Sequence, residues 1–427
     1  MIVFGHATIV LSCCDGTILV VLVADNIGEI ATAVPGTTFP QGFGTMNRYL
    51  CIFRMALAFI AVLLVYGHTC YAELDWQPER TSLFAVGVLE WQDPAVWRGM
   101  ANAQKNRRDA QLVQHFQTAG VRQDRIVYLQ DRQATRQRIQ RDLVAQLGRS
   151  QSGELLIIYF TGHGFRDRKS HEVHFANYDA VDGASAWSVR AIFDTVEESF
   201  RGSHVLFMAD CCYSGGLVDE ARLRKSRLGY ACLCSSHSHN SSTGRWTFTE
   251  SLLAGLRGSP TVDLNDDGEI DVSELGQFSE LEMAFAEKQK AVYDVNRAFP
   301  ARWRIAQPAR KRTPRQGERI EVEWKGKWYR SHLLEVMGNQ CKVHYVGFDD
   351  SWDEWVGPDR IRPYHPSSFA EGESVEVHWA KDNKWYPAKI LRNWYGLSFV
   401  HYEGYTSEWD DWVSNGAIRL PMNTKGK

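Results

Sequence analysis

The sequence predicts an α/β domain with a mostly parallel sheet, followed by two small all-β domains. Residues 155–160 and 205–209 are apolar runs whose length and β-branched or aromatic content are typical of strands buried on both faces. Predicted strands and helices alternate around these two runs, which favours a sheet covered by helices on both sides. An internal repeat in the last quarter of the chain predicts the two β domains.

The elements of the α/β region follow from apolar periodicity and from turn residues. Gly120 is a stop signal for the first predicted helix. The predicted strands cover residues 81–89, 125–129, 155–160, 205–209, 228–234 and 298–306. The predicted helices cover residues 103–119, 134–147, 187–200 and 246–256.

The length and the net charge of the chain limit the number of domains and the kinds of partner to be expected. A chain of 427 residues is long for one domain, and two or three are expected. The formal net charge of −3 gives no general attraction to nucleic acid or to a membrane surface. Nine of the 15 tryptophans lie between Trp324 and Trp412, which marks a separate C-terminal unit.

Residues 1–72 are predicted to be an N-terminal extension with a signal peptide. From Met46, which we expect to be the true start, basic residues precede the apolar stretch 55–66, and small residues then precede a polar segment. This order is typical of a secretory signal peptide, and the apolar core is short for a membrane span. The sequence therefore predicts an exported protein, periplasmic or extracellular. A retained membrane anchor is the alternative, and residues 8–24 offer a second apolar segment.

A histidine and a cysteine follow the two buried strands. His163 stands in the turn after the first run, and Cys212 stands in the turn after the second. If the two strands are neighbours, one edge of the sheet carries both an imidazole and a thiol, because ligands and chemistry gather at the carboxyl ends of parallel strands. A nearby imidazolium favours the thiolate that attacks in cysteine-nucleophile hydrolases. A buried pair without chemistry is the alternative.

The segments Tyr-Phe-Thr-Gly-His-Gly and Asp-Cys-Cys-Tyr-Ser-Gly-Gly, with His163 and Cys212 separated by 49 residues, resemble the caspase-like cysteine peptidases, most of all the metacaspase type. The resemblance covers residues 80–306. It implies a caspase-like three-layer sandwich with a mostly parallel six-stranded sheet. It also implies that Cys212 is the nucleophile, that His163 is its general base, and that the N–H groups of Gly164 and Cys212 form the oxyanion hole. Cys211 would then point into the packing.

The same resemblance assigns two carboxylates to the substrate pocket. Asp210 and Asp109 match positions that supply acids to the pocket for the residue before the cleaved bond. A buried carboxylate prefers a guanidinium or ammonium partner, so cleavage after Arg or Lys is expected. The alternative is that Asp210 caps a backbone turn and that Asp109 pairs with Arg107 or Arg108.

Residues 263–274 fit the EF-hand calcium loop at every position, including Gly268 at the sharp turn and an acid at the end. One such loop is visible, although EF-hands usually pair. The expected Ca²⁺ ligands are Asp263, Asn265, Asp267, the carbonyl of Glu269, Asp271 and Glu274. A vestigial acidic turn without calcium is the alternative.

A basic linker over residues 307–316, with two prolines and no acid, precedes an internal repeat. The two copies, residues 317–363 and 371–421, are each expected to form a small β-barrel. Most equivalent aromatic residues are 57 positions apart: Trp328 and Trp385, Tyr345 and Tyr402, Trp352 and Trp409.

Both repeats resemble Tudor-like modules of the Tudor-knot or chromo-barrel type, through the Trp-Tyr pair, the His-Tyr-x-Gly-aromatic strand and the Trp-Asp-acid-Trp-Val segment. Aromatic clusters can cage a methylated ammonium, stack nucleic-acid bases, or simply fill a small core. The surrounding acids argue against nucleic acid and favour a basic or methylated peptide. These acids are Asp349, Asp350, Asp353, Glu354, Glu408, Asp410 and Asp411.

Taken together, these features predict an exported caspase-like cysteine endopeptidase with a polypeptide substrate, a calcium loop and two modules that recruit substrate or partner. Two alternatives stay open. The thiol chemistry can serve another target, as in asparagine-specific relatives or transpeptidases. The protein can also be an inactive scaffold whose repeats bind a basic or methylated peptide.

Overall fold

A computed structural model provides the fold of the chain. It describes residues 75–313, 315–365, 369–379 and 382–421, together with the backbone of four strands between residues 2 and 32. These strands form an antiparallel sheet in a unit of its own, residues 1–72. They are β1 (Ile2–Phe4), β2 (Ala7–Cys14), β3 (Thr17–Ala24) and β4 (Ile27–Thr32).

Of the two apolar segments in the N-terminal region, the structure describes the backbone of one and not of the other. The predicted signal segment, residues 46–72, lies outside the described residues. Residues 8–24, the second apolar segment, fall within β2 and β3. In the part of the chain that the structure describes, no helix combines the length and the apolar character needed to cross a membrane.

The α/β region contains the predicted, mostly parallel six-stranded sheet. Its strand order is β14-β12-β11-β7-β5-β6, and β14 at the edge is the antiparallel member. The strands are β5 (Thr81–Gly87), β6 (Ile126–Gln130), β7 (Leu155–Thr161), β11 (His204–Asp210), β12 (Gly229–Cys234) and β14 (Val292–Val295). Three further strands, β8 (Gly164–Arg166), β9 (Val173–Phe175) and β10 (Trp187–Ser188), form a small antiparallel sheet next to β7 in the chain. The strands that precede His163 and Cys212 are direct neighbours, with Thr161 paired to Asp210.

Helices cover both faces of the sheet, which makes three layers. Along β5, Phe84 and Val86 enter one apolar cluster while Leu83 and Ala85 enter the other, because successive strand residues point to opposite faces. The helices are α1 (Ala101–Gln104), α2 (Arg108–Thr118), α3 (Arg136–Leu147), α4 (Val189–Ser199), α5 (Gly216–Leu223), α6 (Thr247–Leu256) and α7 (Val272–Glu282). Helices α3, α4 and α5 contribute to the first cluster, and α2, α6 and α7 to the second.

Two predicted elements differ from the structure. The predicted helix 103–119 is broken, because Arg107 adopts an extended conformation between α1 and α2. The prediction that residues 298–306 form the last strand of the main sheet is wrong, because β14 is the edge strand next to β12. Phe299 and Trp303 are buried loop residues that pack against His204. Strand β15 (Arg304–Ala306) pairs instead with β13 (Ile270–Asp271).

The C-terminal repeats form two five-stranded antiparallel half-barrels rather than closed barrels. We name them the first module (residues 315–363) and the second module (residues 371–421). The strands of the first are β16 (Arg319–Trp324), β17 (Lys327–Met337), β18 (Gln340–Tyr345), β19 (Glu354–Val356) and β20 (Ile361–Pro363). Those of the second are β21 (Ser374–Trp379), β22 (Lys384–Trp394), β23 (Leu397–Tyr402), β24 (Asp411–Ser414) and β25 (Ile418–Arg419). Both sheets have the same strand order, and β17 and β22 each carry an irregularity at the equivalent place.

Both modules pack against the end of α7 and the π-helical turn Met283–Glu287 that continues it. Glu282 of α7 accepts hydrogen bonds from Arg319 (2.8 Å) and His332 (2.9 Å) of the first module. Burial opposes ionisation of Glu282, but these two partners outweigh it and lower its pKa to about 2. Leu397 and Trp412 of the second module join the apolar cluster around the same helix end. The modules are therefore fixed to the α/β region through its own core.

Candidate thiol site and aromatic cages

His163 and Cys212 line one cleft at the carboxyl edge of the main sheet. The cleft has a volume of about 240 Å³. Asp210 and Cys211 contribute to its wall beside Cys212, and the segment 242–246 closes another side. The prediction that the two strand ends meet at one edge is thus confirmed by the pairing of β7 with β11.

Gly164 lets the histidine turn approach the cysteine turn. A Cβ atom at position 164 would overlap the carbonyl oxygen of Cys212 and would lie 3.0 Å from the Cys211 sulfur. A side chain there would separate the two strand ends, so glycine is required for this approach. Cys211 is 2% exposed, whereas Cys212 is partly exposed to the cleft.

Aromatic rings and a carbonyl hold the His163 imidazole. Its ring centroid lies 4.5 Å from that of Trp91 and 5.5 Å from that of Trp97. The Nε2 atom is 2.9 Å from the carbonyl oxygen of Arg98, which accepts only. Nε2 must therefore carry the proton, and Nδ1 is left as the nitrogen that can accept one.

The thiol of Cys212 is hydrogen bonded to a distant part of the chain. The N–H of Ser242 donates to its sulfur at 3.1 Å, and the thiol lies 3.7 Å from the Ser242 carbonyl oxygen. Burial raises the pKa of Cys212, and the Ser242 N–H offsets part of that rise. In this arrangement the thiol is the neutral form, so a nucleophilic role requires that the imidazole take its proton.

The two predicted pocket carboxylates lie in different surroundings. Asp210 is buried at the wall of the cleft and accepts a 2.6 Å hydrogen bond from the Thr249 hydroxyl. Burial raises its pKa to about 7. Asp109 is not among the residues that line the cleft as the structure describes it. It is fully buried and pairs with Arg107 at 2.7 Å, the alternative considered from sequence, and Tyr128 also donates to it.

The predicted calcium loop brings carboxylates together. Oxygen atoms of Asp263, Asp267 and Glu274 lie within 4.8 Å of one another. Burial, and the charge of Asp271 after it, raise the pKa of Glu274 to about 7, although backbone N–H groups oppose the rise. Gly268 has a φ of +86°, the left-handed conformation that the sharp turn requires. This donor set fits a divalent cation that prefers oxygen ligands.

The remaining loop residues have assigned partners. The Glu269 carboxylate pairs with Arg304 at 2.7 Å, so its carbonyl is the group left for a metal. Asn265 donates to Asp267, and Asp271 caps α7 by accepting from the Glu274 N–H at 2.8 Å. The strand β13 at the end of the loop pairs with β15.

Each module carries a cluster of five aromatic side chains at equivalent positions. The first cage, with a volume of about 220 Å³, also has acids in its wall. Its aromatic members are Trp324, Tyr329, Tyr345, Phe348 and Trp352, and its acids are Asp353 and Glu354. The rings of Trp324 and Trp352 are nearly perpendicular (88°), and the Tyr345 hydroxyl donates to Glu354 at 2.7 Å. Rings at right angles with an acid behind them form a box that attracts a cation.

The second cage faces the α/β region. Its aromatic members are Trp379, Tyr386, Tyr402, Tyr405 and Trp409. His239 and Asn240 of the α/β region complete a cavity of about 320 Å³. The Tyr402 hydroxyl is buried without a hydrogen-bond partner among the described residues. The acid equivalent to Glu354 is Asp411, one methylene shorter.

From sequence, the alternative was that the tryptophans fill the module cores. It applies to Trp412 of the second module, which is buried in the cluster at the end of α7, but no tryptophan belongs to the core of the first module in the described residues. The first module's core is mostly aliphatic: Ile320, Val322, Leu333, Cys341, Val343, Tyr345 and Val356. Trp328 lies outside the cage under the Arg362 guanidinium (4.1 Å), and its counterpart Trp385 lies under Arg419 (3.9 Å). Sequence reasoning missed the roles of Ser242, His239 and Asn240. The His-Ser-His cluster at residues 237–239 was the one available signal.

The aromatic box and the half-barrel place residues 315–363 in the Tudor-knot class of domains. The model of that family, described as "RNA binding activity-knot of a chromodomain", matches those residues. Chromatin modification-related protein EAF3 of Kluyveromyces lactis is 54% identical over 37 residues, and that of Saccharomyces cerevisiae is 49% identical over 37 residues. These matches cover 8% of this chain, and the chain spans about a tenth of the length of these relatives.

Similarities to solved structures are weak. Protein GSU0716 from Geobacter sulfurreducens aligns with 53% of this chain and 99% of its own, at 11% identity and a TM-score of 0.37. The AGDP1 AGD34 structure from Arabidopsis thaliana aligns with 25% of this chain and 81% of its own, at 17% identity and a TM-score of 0.12.

The prediction of an exported protein is wrong. The relatives matched by the C-terminal region are chromatin modification-related proteins, and chromatin lies inside the cell. The residue order that prompted the prediction is a compositional signal, and short apolar stretches with basic flanks also occur outside signal peptides.

Proposed function

We propose that the protein binds a peptide carrying a methylated or protonated lysine in its aromatic cages. The observation that carries this proposal is the first cage, where five rings and two acids line one cavity of about 220 Å³. The rings offer their negative faces to a cation, and the two acids add negative charge to the same wall. Lys325 illustrates the preference, because its Nζ lies 4.3 Å above the Trp324 ring.

Titration of the full chain with a trimethyllysine peptide tests this function. We expect Trp352→Ala to weaken binding at the first cage about tenfold, the effect of losing one desolvated cation–π face. Trp328→Ala is the matched control, because that tryptophan belongs to the same module but lies outside the cage. A peptide with acetyl-lysine should bind weakly. Equal binding of both peptides, or preferential binding of single-stranded RNA, would refute the proposal.

A second candidate function is cysteine-type peptide hydrolysis in the α/β region. It is favoured by one observation, that His163 and Cys212 line the same cleft with the proton-accepting nitrogen of the imidazole unused. His163 would take the thiol proton and later return it to the leaving amine, and the N–H groups of Gly164 and Cys212 would stabilise the oxyanion. The buried Asp210 offers a partner for a basic residue before the cleaved bond, and Arg98 and Arg245 also line the cleft.

Labelling with a thiol-directed activity probe tests the hydrolase. We expect labelling to be lost in Cys212→Ala and to fall by at least about tenfold in His163→Ala. Cys211→Ala is the matched control and should keep the label, since that cysteine is buried. Fluorogenic peptides ending in Arg should be hydrolysed faster than peptides ending in Asp. Labelling that survives Cys212→Ala would remove this candidate, and a preference for Asp would refute the role of Asp210.

The calcium loop is proposed to bind Ca²⁺ as a structural ion. Asp263, Asp267 and Glu274 already converge, and a cation would relieve the repulsion between their charges. We expect millimolar Ca²⁺ to raise the melting temperature by several degrees through mass action. Glu274→Gln should abolish that rise, whereas Glu269→Gln should keep it because its side chain faces Arg304. An unchanged melting temperature in the wild type would contradict calcium binding.

A further inference from the structure

The second cage is a composite of two parts of the chain. All five of its rings come from the second module, and all but the buried Tyr402 are half-buried or exposed. The α/β region contributes His239 and Asn240. The Trp409 ring lies nearly parallel to His239 (9°, 5.9 Å between centroids) and near His237 (6.2 Å). The first cage has no such cover among its lining residues in the described part of the chain. A ligand entering the second cage therefore meets the α/β region directly.

The cover belongs to one segment, residues 237–242, which ends at the thiol. Its Asn240 lines the cage, and the Asn240 carbonyl accepts a 2.9 Å hydrogen bond from the N–H of Tyr213, the residue after Cys212. Tyr213 has a φ of +59°, a strained conformation that neighbouring contacts must hold in place. Two residues further, Ser242 donates its N–H to the Cys212 sulfur. Cage and thiol are thus joined by a few consecutive residues.

A second connection runs through the residues that follow the π-helical turn. The Gln289 side chain donates to the Ser242 hydroxyl at 3.2 Å and accepts from Thr243 N–H at 2.9 Å. The adjacent Lys290 donates to the backbone carbonyl of Glu408 at 2.6 Å, next to Trp409. The segment is therefore held on one side by the module and on the other by the thiol turn.

We propose that the second cage and residues 237–242 form one composite site for a methylated or protonated lysine side chain, and that its occupation increases the reactivity of Cys212. The inference rests on the proposed peptide-binding function. The ring face of Trp409 can hold one partner at a time, so a ligand cation displaces His239 from it. The segment then shifts and uncovers more of the thiol, which is only partly exposed in this structure. This gain in accessibility outweighs the loss of the Ser242 N–H bond that favours the thiolate. The negative faces of five rings and the nearby Asp382, which accepts from Tyr386, favour a cation over a neutral ligand.

The test measures alkylation of Cys212 by iodoacetamide in the full chain, followed by mass spectrometry of the peptide that contains it. The probe is Nα-acetyl-trimethyllysine amide, with the neutral acetyl-lysine amide as its control. We expect the trimethyllysine probe to accelerate alkylation about threefold or more by shifting the population of the released segment. Trp352→Ala, which removes the equivalent ring of the first cage, should keep this acceleration, and Trp409→Ala should lose it.

A variant of the cover gives an independent measurement. His239→Ala removes the stack on Trp409 and leaves all five cage rings in place. In this variant the alkylation of Cys212 should be fast without any probe. Binding of the probe is followed separately by titration. Binding at the second cage without a change in alkylation overturns the coupling and leaves the proposed function standing. Binding lost only in Trp352→Ala overturns the composite site, and no binding at either cage overturns the proposed function itself.

Discussion

The two C-terminal modules repeat one arrangement of residues in two different surroundings. Both have the same strand order, five cage rings at equivalent positions and a His–Asp pair, His344–Asp353 (2.8 Å) and His401–Asp410 (2.7 Å). Residues of its own module alone line the first cage, whereas His239 and Asn240 of the α/β region cover part of the second. Local sequence thus determines the cage, and the position of the module on the larger domain determines what can reach it.

The means of attachment also differ between the modules. The buried Arg319–Glu282 ion pair, with His332 also bonded to Glu282, holds the first, and we call this group the buried triad. Lys290 and apolar contacts hold the second. The buried triad depends on charge matching, because a lone buried charge is costly. The second attachment includes the contact of a buried histidine, His237, with the Trp409 ring.

The largest expected effect comes from removing the charge that holds the first module. Glu282→Gln should destabilise the docked module by about 3 kcal/mol, because the buried Arg319 then lacks its counter-ion. The measurement is urea unfolding followed by tryptophan fluorescence. Glu318→Gln is the control, since its exposed pair with Arg315 contributes about 1 kcal/mol or less. Equal shifts for both variants would show that the triad does not attach the module.

The second prediction is smaller: lowering the pH should weaken the attachment of the second module and leave that of the first module unchanged. Burial, then Lys290 and His239, lower the pKa of His237 to about 4, below its ordinary value of 6.5. The undocked state therefore binds the proton first, and docking of the second module is at full strength above pH 6.5 and weakens as pH falls toward 4. Glu282, with its pKa lowered to about 2, is affected only below pH 4.5.

Hydrogen–deuterium exchange at pH 7 and pH 5, corrected for intrinsic rates, measures this difference. We expect exchange to become several-fold faster at residues 407–412 on acidification and to stay constant at residues 319–324. His237→Phe should remove the response of the second module. Parallel changes in both modules would contradict separate attachments.

Several features of the site were open to prediction because they depend on local pattern. The apolar runs of β7 and β11 predict buried strands with His163 and Cys212 in the turns that follow them. The observed parallel pairing of the two strands then brings both turns to one edge of the sheet. Acids at fixed spacing from Asp263 to Glu274 identify the calcium-type loop, because an EF-hand takes its ligands from one short segment. The 57-residue repeat identifies two modules of one kind.

Other features could not be predicted because they depend on contacts between distant residues. Ser242 lies 30 residues after Cys212, and its approach to the thiol depends on how the loop is held by Gln289. The apolar spacing around Phe299 is compatible with a strand, yet burial in the loop against His204 satisfies the same residues. Neither the Ser242 contact nor the burial of Phe299 in a loop can be predicted from the residues next to it in sequence.

The amino-acid sequence alone determined the alternation of strands and helices, the two strand-end turns and the two aromatic repeats, because each follows from short-range periodicity. Only the tertiary structure decided that Asp109 pairs with Arg107, that Trp324 rather than Trp328 belongs to a cage, and that one cage is covered. These outcomes depend on which surfaces meet after the chain is packed, and burial and charge pairing act between residues far apart in sequence.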